Sequence, residues 1–413
     1  MLTEFTSLPK STNGTQHPLS NGSLKQACRP APDHRDLRQL VHTLDEADFV
    51  DLGSRVEGTP LPGIRNILVT GGAGFIGSFV VRKLVLLYPE YNVVVVDKLD
   101  YCGSLNNLKM LQGFPNFTFI KGDITSSDFM SFILKEKKID CILHLAAQTH
   151  VDNSFGDSFE FTKNNVMGTH VMLEAAKVHR IKRFIHVSTD EVYGEVAKHR
   201  PDCVEDTILA PSNPYSATKA AAECLVRAYY KSFKVPIIIT RSNNVYGPYQ
   251  YPEKICSKFI CSLIRGGKCH IHGTGANSRK YLYAADVADA LDIVLHKGEV
   301  GEAYNIGASY EISNLDLARL LIKKFTYPDG TPYIEENHLE FVEDRAFNDQ
   351  RYSVDSSKLE QLGWKARTSF EEGLQRTIAW YRQHCNEWWG DISCALVPHP
   401  LKIYPLQDNT LTE

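Results

Sequence analysis

Nothing in this sequence is long and apolar enough to cross a bilayer. The longest apolar runs, such as Val93 to Val96 and Ile237 to Ile239, are strand-length, far short of the ~20 residues a spanning helix needs. A cationic, then apolar, then small-residue start is also missing, which leaves no visible route into secretion. The acceptor patterns at Asn13-Gly14-Thr15, Asn21-Gly22-Ser23 and Asn116-Phe117-Thr118 are therefore read as coincidences. The ten cysteines include no C-x-x-C pair, and Cys141 and Cys224 fall inside expected core elements. That pattern favours a reduced, cytoplasmic setting over a disulfide framework. Excess charge is absent too: a net charge of -4 provides no basic field to gather nucleic acid or an acidic membrane surface.

What remains is an ordinary soluble composition, 43% hydrophobic and 23% charged, over 413 residues. A soft prior of about 150 residues per domain allows two or three domains. Residues 1 to about 34 are rich in Ser, Thr, Asn, Gly and Pro and cannot bury enough surface to offset their ordering entropy, so a disordered tail is expected. From Asp36 to Val50, Leu37, Leu40, Val41 and Leu44 recur at helical spacing with Ala47 on the same face. A short amphipathic helix there would dock on the body or a partner, or pack loosely. Residues 1–63 are taken together as an accessory segment.

Order begins at Asn66. The apolar strand Asn66 to Thr70 runs into Gly71-Gly72-Ala73-Gly74-Phe75-Ile76-Gly77, followed by helix-compatible Ser78 to Leu87. Glycines at this spacing permit a tight turn, let the backbone approach a pyrophosphate and allow the helix to pack closely; the helix N-terminus favours the anion. A second strand, Val93 to Val96, ends in Asp97, twenty residues past Gly77, where the partner of an adenosine ribose is expected. A carboxylate there repels a 2'-phosphate, which favours NAD over NADP.

The alternation continues through Phe117 to Lys121, ending at Gly122-Asp123-Ile124, and Cys141 to Leu145, leading into Ala146-Ala147. Next comes Arg183 to Val187, leading into Ser188-Thr189-Asp190-Glu191. Strands separated by helix-compatible stretches predict an α/β fold, a Rossmann-like doubly wound parallel sheet whose ligand lies outside the carboxyl ends of the strands. Phe75, Ile76, Lys98, Asp123, Ile124, Ala146 and Ala147 thus join Gly71, Gly74, Gly77 and Asp97 as expected cofactor contacts. Residues 64–244 are assigned to this domain and 245–400 to a smaller, intermixed α/β substrate domain.

Two further features carry chemistry. Tyr215 and Lys219 are four apart in an Ala-rich, helix-favouring stretch, so they share a face; a cation beside a phenol is expected to lower its pKa and make Tyr215 a base. Asp190 and Glu191 are adjacent, an acid and a base that together suggest a proton and a hydroxyl leaving one substrate. Successive strand residues face opposite sides, so the pair can converge only if the chain leaves the strand by Thr189, and an irregular or helical turn is expected there. The alternative is that one of the two carboxylates caps a helix.

The Gly71 to Gly77 loop, Asp97-Lys98-Leu99-Asp100-Tyr101, Thr189-Asp190-Glu191, Tyr215 with Lys219, and Asn244-Val245-Tyr246-Gly247-Pro248 together resemble the extended short-chain dehydrogenase/reductases. Within them the chain is most similar to nucleoside-diphosphate-glucose 4,6-dehydratases, particularly the dTDP-glucose branch. This resemblance, spanning about Asn66 to Tyr381, implies bound NAD and dehydration of dTDP-glucose or UDP-glucose. Thr189, Asp190, Glu191, Tyr215 and Lys219 would be catalytic, and Asn244, Lys254, Arg279, Asn305, Arg345 and Tyr352 would hold the nucleotide sugar. A homodimer through helices including that of Tyr215 is also implied. Arg279-Lys280-Tyr281 and Asp344 to Asp349 depart from the bacterial pattern, which leaves the base and sugar open. A nucleotide-sugar epimerase, a UDP-glucuronate decarboxylase and a non-catalytic NAD-binding regulatory protein are the alternatives; Asp190 argues against the first two.

Overall fold

The computed structural model describes Leu52, Arg55, Val56 and residues 60–399. The expected tail, the helix between Asp36 and Val50, Cys28 and the first two glycosylation patterns lie outside the described residues. Asn116 of the third pattern is buried, its amide donating to Val85 O (3.0 Å) and Tyr91 O (3.3 Å). Among the described residues no helix is long and apolar enough to cross a membrane.

Seven strands form one wholly parallel sheet: β1 (Asn66–Thr70), β2 (Asn92–Asp97), β3 (Phe117–Lys121), β4 (Cys141–His144), β5 (Arg183–Thr189), β6 (Ile237–Ser242) and β10 (Ala303–Ile306). Their order is β10-β6-β5-β4-β1-β2-β3, so the winding reverses between β1 and β4, where a crevice opens at the carboxyl ends. The near-continuous apolar strands follow from burial on two faces. Ile67, Val69, Val93, Val95, Leu143 and Ile185 enter one core layer, while Leu68, Val94, Val96, Ile142 and Phe184 enter the other.

On the first face lie α1 (Phe75–Leu87) and α6 (Ala284–Lys297); on the second lie α2 (Ser127–Glu136), α3 (Gly168–Val178) and α4 (Pro214–Phe233). The later part of the chain adds α5 (Ile255–Ile264), α7 (Asn314–Ile322), α8 (Phe370–His384) and two small sheets. One pairs β7 (Asn244–Tyr246), β9 (Ser278–Tyr283) and β11 (Glu311–Ser313); the other pairs β8 (Cys269–His272) with β12 (Leu339–Val342). That later segment also supplies β10 to the main sheet and α6 to its first face. Cys224, expected in the core, faces outward on α4: the helix turns Glu223, Val226 and Tyr229 inward instead.

Residues near the start of the described chain are tied to a polar joint between α1 and α6. Buried Lys83 Nζ contacts Asp289 Oδ1 at 2.7 Å, Asp292 Oδ2 at 3.5 Å and Leu52 O at 2.9 Å. Tyr88 OH donates to Asp292 and accepts from Val56 N, and Tyr91 OH accepts from Leu61 N, each at 2.9 Å. Removing the cation leaves two carboxylates buried without it, so Lys83→Met should cost about 3 kcal/mol or more. A lower urea midpoint of unfolding is expected, and an unchanged midpoint would contradict this account of the joint.

Candidate active site

The loop after β1 leaves room for a ligand's backbone-close approach. Gly71 has φ 70°, and a Cβ on Gly77 would lie 2.2 Å from Gly71 O and 2.8 Å from Gly72 Cα, so side chains at either position would spoil the turn. α1 starts directly after Gly74 with no acidic side chain in its first turn, leaving its positive end free to meet an anion. Asp97, at the tip of β2, accepts from Ala73 N (3.0 Å) and Leu99 N (2.8 Å). It therefore fixes the glycine loop while lining the same crevice. Burial holds its pKa above the ordinary carboxylate range, with these backbone donors opposing.

Phe75, Ile76, Lys98, Ile124, Ala146 and Ala147 line the cleft with Gly71, Gly74 and Gly77. Lys98 is paired with Asp100 at 3.0 Å and Glu160 at 3.2 Å. Asp123 is not part of the lining; its Oδ1 accepts from Thr125 N and Oγ1 at 2.8 Å, closing the turn before α2. These residues fit a dinucleotide: a glycine turn, an uncapped helix N-terminus and a carboxylate at the second strand end.

The expected turn follows β5. Asp190–Tyr193 is a single 3-10 turn capped by Thr189, whose Oγ1 accepts from Glu191 N at 3.3 Å. Leaving the strand here brings neighbouring carboxyls to one cleft. Asp190 is buried, with Asn243 Nδ2 donating to it at 2.6 Å and Thr189 Oγ1 at 3.3 Å. Burial first, and the Glu191 charge second, push its pKa up to about 7. Burial raises Glu191 as well, opposed by the charges of Lys254, Arg279 and Arg345. Its Oε2 lies 3.4 Å from Asn213 Nδ2 and 3.5 Å from the Tyr352 hydroxyl, which also donates to Asp349.

Tyr215 and Lys219 enter the same cleft from α4. The helix starts there because the Asn213 side chain accepts from Ser216 N at 2.9 Å and Pro214 occupies the first turn. The expected lowering of the phenol pKa by the lysine is not found. Burial and the Glu191 charge raise the Tyr215 pKa, while Lys219 Nζ donates to Val187 O at 2.7 Å. Helical spacing placed both groups on one face but did not say where the amine points. Burial brings Lys219 down to about 8, with Glu223 opposing.

Asn244, Lys254, Arg279, Arg345 and Tyr352 line the cleft opposite the glycine loop. Lys254 Nζ donates to Thr149 O at 2.5 Å, Arg345 pairs with Asp152 at 3.0 Å, and the Arg279 guanidinium lies 4.8 Å from the centre of the Tyr352 ring. Convergent cations of this kind suit phosphate oxygens. Asn305 is elsewhere: fully buried in β10, it donates to Cys203 O at 3.0 Å and accepts from Tyr193 OH at 2.9 Å. Asn213 and Asn243 were missed. The first was readable as the cap before Pro214, whereas the second shows only once β6 lies beside β5.

A family model described as GDP-mannose 4,6 dehydratase matches residues 68–377. The chain is 55% identical over 344 residues to the trifunctional UDP-glucose 4,6-dehydratase/UDP-4-keto-6-deoxy-D-glucose 3,5-epimerase/UDP-4-keto-L-rhamnose-reductase RHM3 of Arabidopsis thaliana. That match covers 81% of this chain and 50% of the plant protein, so the chain spans about half the length of that relative. It is 47% identical over 343 residues to the human dTDP-D-glucose 4,6-dehydratase, covering 83% of this chain and 97% of that one. Among solved structures, DesIV (dTDP-glucose 4,6-dehydratase) from Streptomyces venezuelae with NAD and TYD bound superposes with a TM-score of 0.73 at 38% identity, covering 78% of this chain and 98% of its own.

The environment of Asp190 predicts its titration. Carbon NMR of aspartate-labelled protein should show one carboxyl with a midpoint near 7, and Asn243→Ala, which deletes a donor that favours the carboxylate, should move it higher. A midpoint of about 4, the ordinary aspartate value, would contradict the burial argument.

Proposed function

This chain belongs to the GDP-mannose 4,6-dehydratase family, and from that premise we propose that it removes water from a nucleoside-diphosphate glucose, dTDP-glucose or UDP-glucose, to give the 4-keto-6-deoxy sugar with NAD as resident cofactor. The observation that carries the reading is the Asp190–Glu191 turn. Two adjacent carboxyls at a buried strand end, one of them protonated up to about pH 7, supply an acid and a base to one substrate.

Gly71, Gly74 and Gly77 would hold the pyrophosphate and Asp97 the adenosine ribose. The hydride chemistry, removal from C4 and return to C6, is what NAD supplies when bound. Thr189 and Tyr215 orient the C4 hydroxyl, and Tyr215 Oη takes its proton. Lys219, one turn along the same helix, would hold the nicotinamide ribose, while the phenolate forms against burial and the Glu191 charge. With C4 a ketone the C5 hydrogen is acidic; Glu191 removes it, and Asp190 delivers its proton to the C6 oxygen as that leaves as water. Lys254, Arg279 and Arg345 hold the diphosphate. An epimerase or decarboxylase has no departing C6 hydroxyl and no use for Asp190, and the assembled set of Thr189, Asp190, Glu191, Tyr215 and Lys219 argues against a non-catalytic role.

The exposed face of α4 supports the homodimer. Ala217, Ala221, Cys224 and Ala228 are small and exposed on its outward side, and Phe159, 85% exposed, and Val178, 65% exposed, lie on helices packed against α4. A second copy packed there would cover apolar surface that water otherwise meets. Free thiols among the described cysteines fit a reducing, cytoplasmic compartment.

Two measurements test this reading. Purified protein incubated with dTDP-glucose and, separately, UDP-glucose should convert at least one to a product lighter by one water, with the alkali-induced absorbance of a 4-keto-6-deoxy sugar. Asp190→Asn and Glu191→Gln should each lose about a hundredfold or more in turnover; no product from either sugar would overturn the assignment. Ala221→Arg should shift the sedimenting species from dimer to monomer, and an unchanged dimer would place the interface elsewhere.

A further inference from the structure

The catalytic groups sit on two separate elements, and a buried ionic chain joins them. Glu223 lies one turn beyond Lys219 on α4. Its side chain is 0% exposed and pairs with Arg241 of β6, 1% exposed, at 2.6 Å, with a further bond from Arg241 Nε to Glu223 Oε1 at 3.0 Å. Arg241 Nη1 donates onward to the Tyr193 hydroxyl and, at 2.9 Å, to Glu205 O. Tyr193 closes the turn that carries Asp190 and Glu191; it donates to Asn305 Oδ1, and the Arg241 guanidinium lies 4.8 Å from its ring centre. Two residues past Arg241, Asn243 grips Asp190 itself at 2.6 Å.

A buried ion pair is poor evidence of stabilisation, because removing the charges from water consumes most of what their attraction returns. What this pair does accomplish is geometric. Its acid end is rooted in the helix of Tyr215 and Lys219, and its guanidinium end bonds the turn of Asp190 and Glu191. Side chains held at two ends by hydrogen bonds keep reacting groups within the tolerance that proton transfer demands, and small displacements are expensive in rate.

Resting on the dehydratase reading above, we propose that Glu223, Arg241 and Tyr193 are positioning residues that set the Asp190–Glu191 turn against the Tyr215–Lys219 helix, and so couple oxidation at C4 to elimination across C5 and C6. Weakening the chain at the turn slows elimination more than oxidation, because Tyr215 and Lys219 keep their own helix.

Tyr193→Phe tests this in the full-length protein with its cofactor, using whichever sugar nucleotide the unaltered protein converts. It removes one hydroxyl and leaves the Glu223–Arg241 pair intact. The expected result is a melting temperature and NAD content near those of the unaltered protein, KM little changed, and turnover lower by roughly tenfold or more. The near-ultraviolet absorbance of reduced nicotinamide should build up during a single turnover. Glu223→Gln should show the same split between steps; should it fail to fold, Tyr193→Phe alone decides. Turnover within about twofold of the unaltered protein without build-up, or lost in step with melting, overturns the positioning role alone. No product from the unaltered protein overturns the dehydratase reading and this role with it.

Discussion

Burying Asp190 beside Glu191 costs free energy unless a proton is kept or a partner supplied, and the site is arranged around that constraint. Asp190 meets the cost by holding its proton to about pH 7, burial and the Glu191 charge outweighing the Asn243 and Thr189 donors and the Arg279 charge. Glu191, one residue on, looks across the cleft to Lys254, Arg279 and Arg345, whose charges oppose the effect of burial. Burial raises both carboxyls, but three cations oppose it at Glu191 and the Glu191 charge adds to it at Asp190, a difference in surroundings of the kind that pairing an acid with a base requires. The same exclusion of water raises Tyr215 and lowers Lys219, so each catalytic group is tuned by desolvation before any ligand enters.

The sheet makes this possible. Parallel strands buried on two faces deliver their carboxyl ends to one edge, and the glycine loop after β1, Asp97 after β2, Ala146 after β4 and the carboxyl turn after β5 all open there. β6 and the residue just past it then act together, with Arg241 gripping Tyr193 and Asn243 gripping Asp190. β10 and α6 arrive from the later part of the chain, so the surface that carries Arg279 and Arg345 is continuous with the core that supports the glycine loop. Leu52, Val56 and Leu61 join the α1–α6 joint through backbone groups, which gives the end of the accessory segment a structural attachment to the cofactor-binding side.

Much of this was legible because local rules force it. Glycines between an apolar strand and a helix, and an Asp at the next strand end, carry their meaning within about thirty residues. The turn at Asp190 followed from strand geometry alone, since two adjacent side chains cannot face one cleft from an extended chain. What escaped depends on partners far away in sequence. Nothing near Asn243 says that it meets Asp190, and nothing near Glu223 says that it meets Arg241. Asn305, assigned to the sugar by resemblance, is drawn instead into the bonds that hold Tyr193. Cys224 lies outside because the buried face of α4 is fixed by the sheet beneath it, and the phenol shift had the wrong sign because spacing gives proximity without giving the direction of an amine.

The most direct test of the account follows the hydrogen that leaves C4. Sugar nucleotide carrying deuterium at C4 would be mixed with a heavier, carbon-labelled substrate without deuterium, and the product examined by NMR and mass spectrometry. One cleft that holds its cofactor through oxidation, elimination and reduction predicts deuterium at C6 of the molecule that brought it, with a single solvent proton at C5. Deuterium kept at C4, lost to water or found on the heavier product would contradict the central claim.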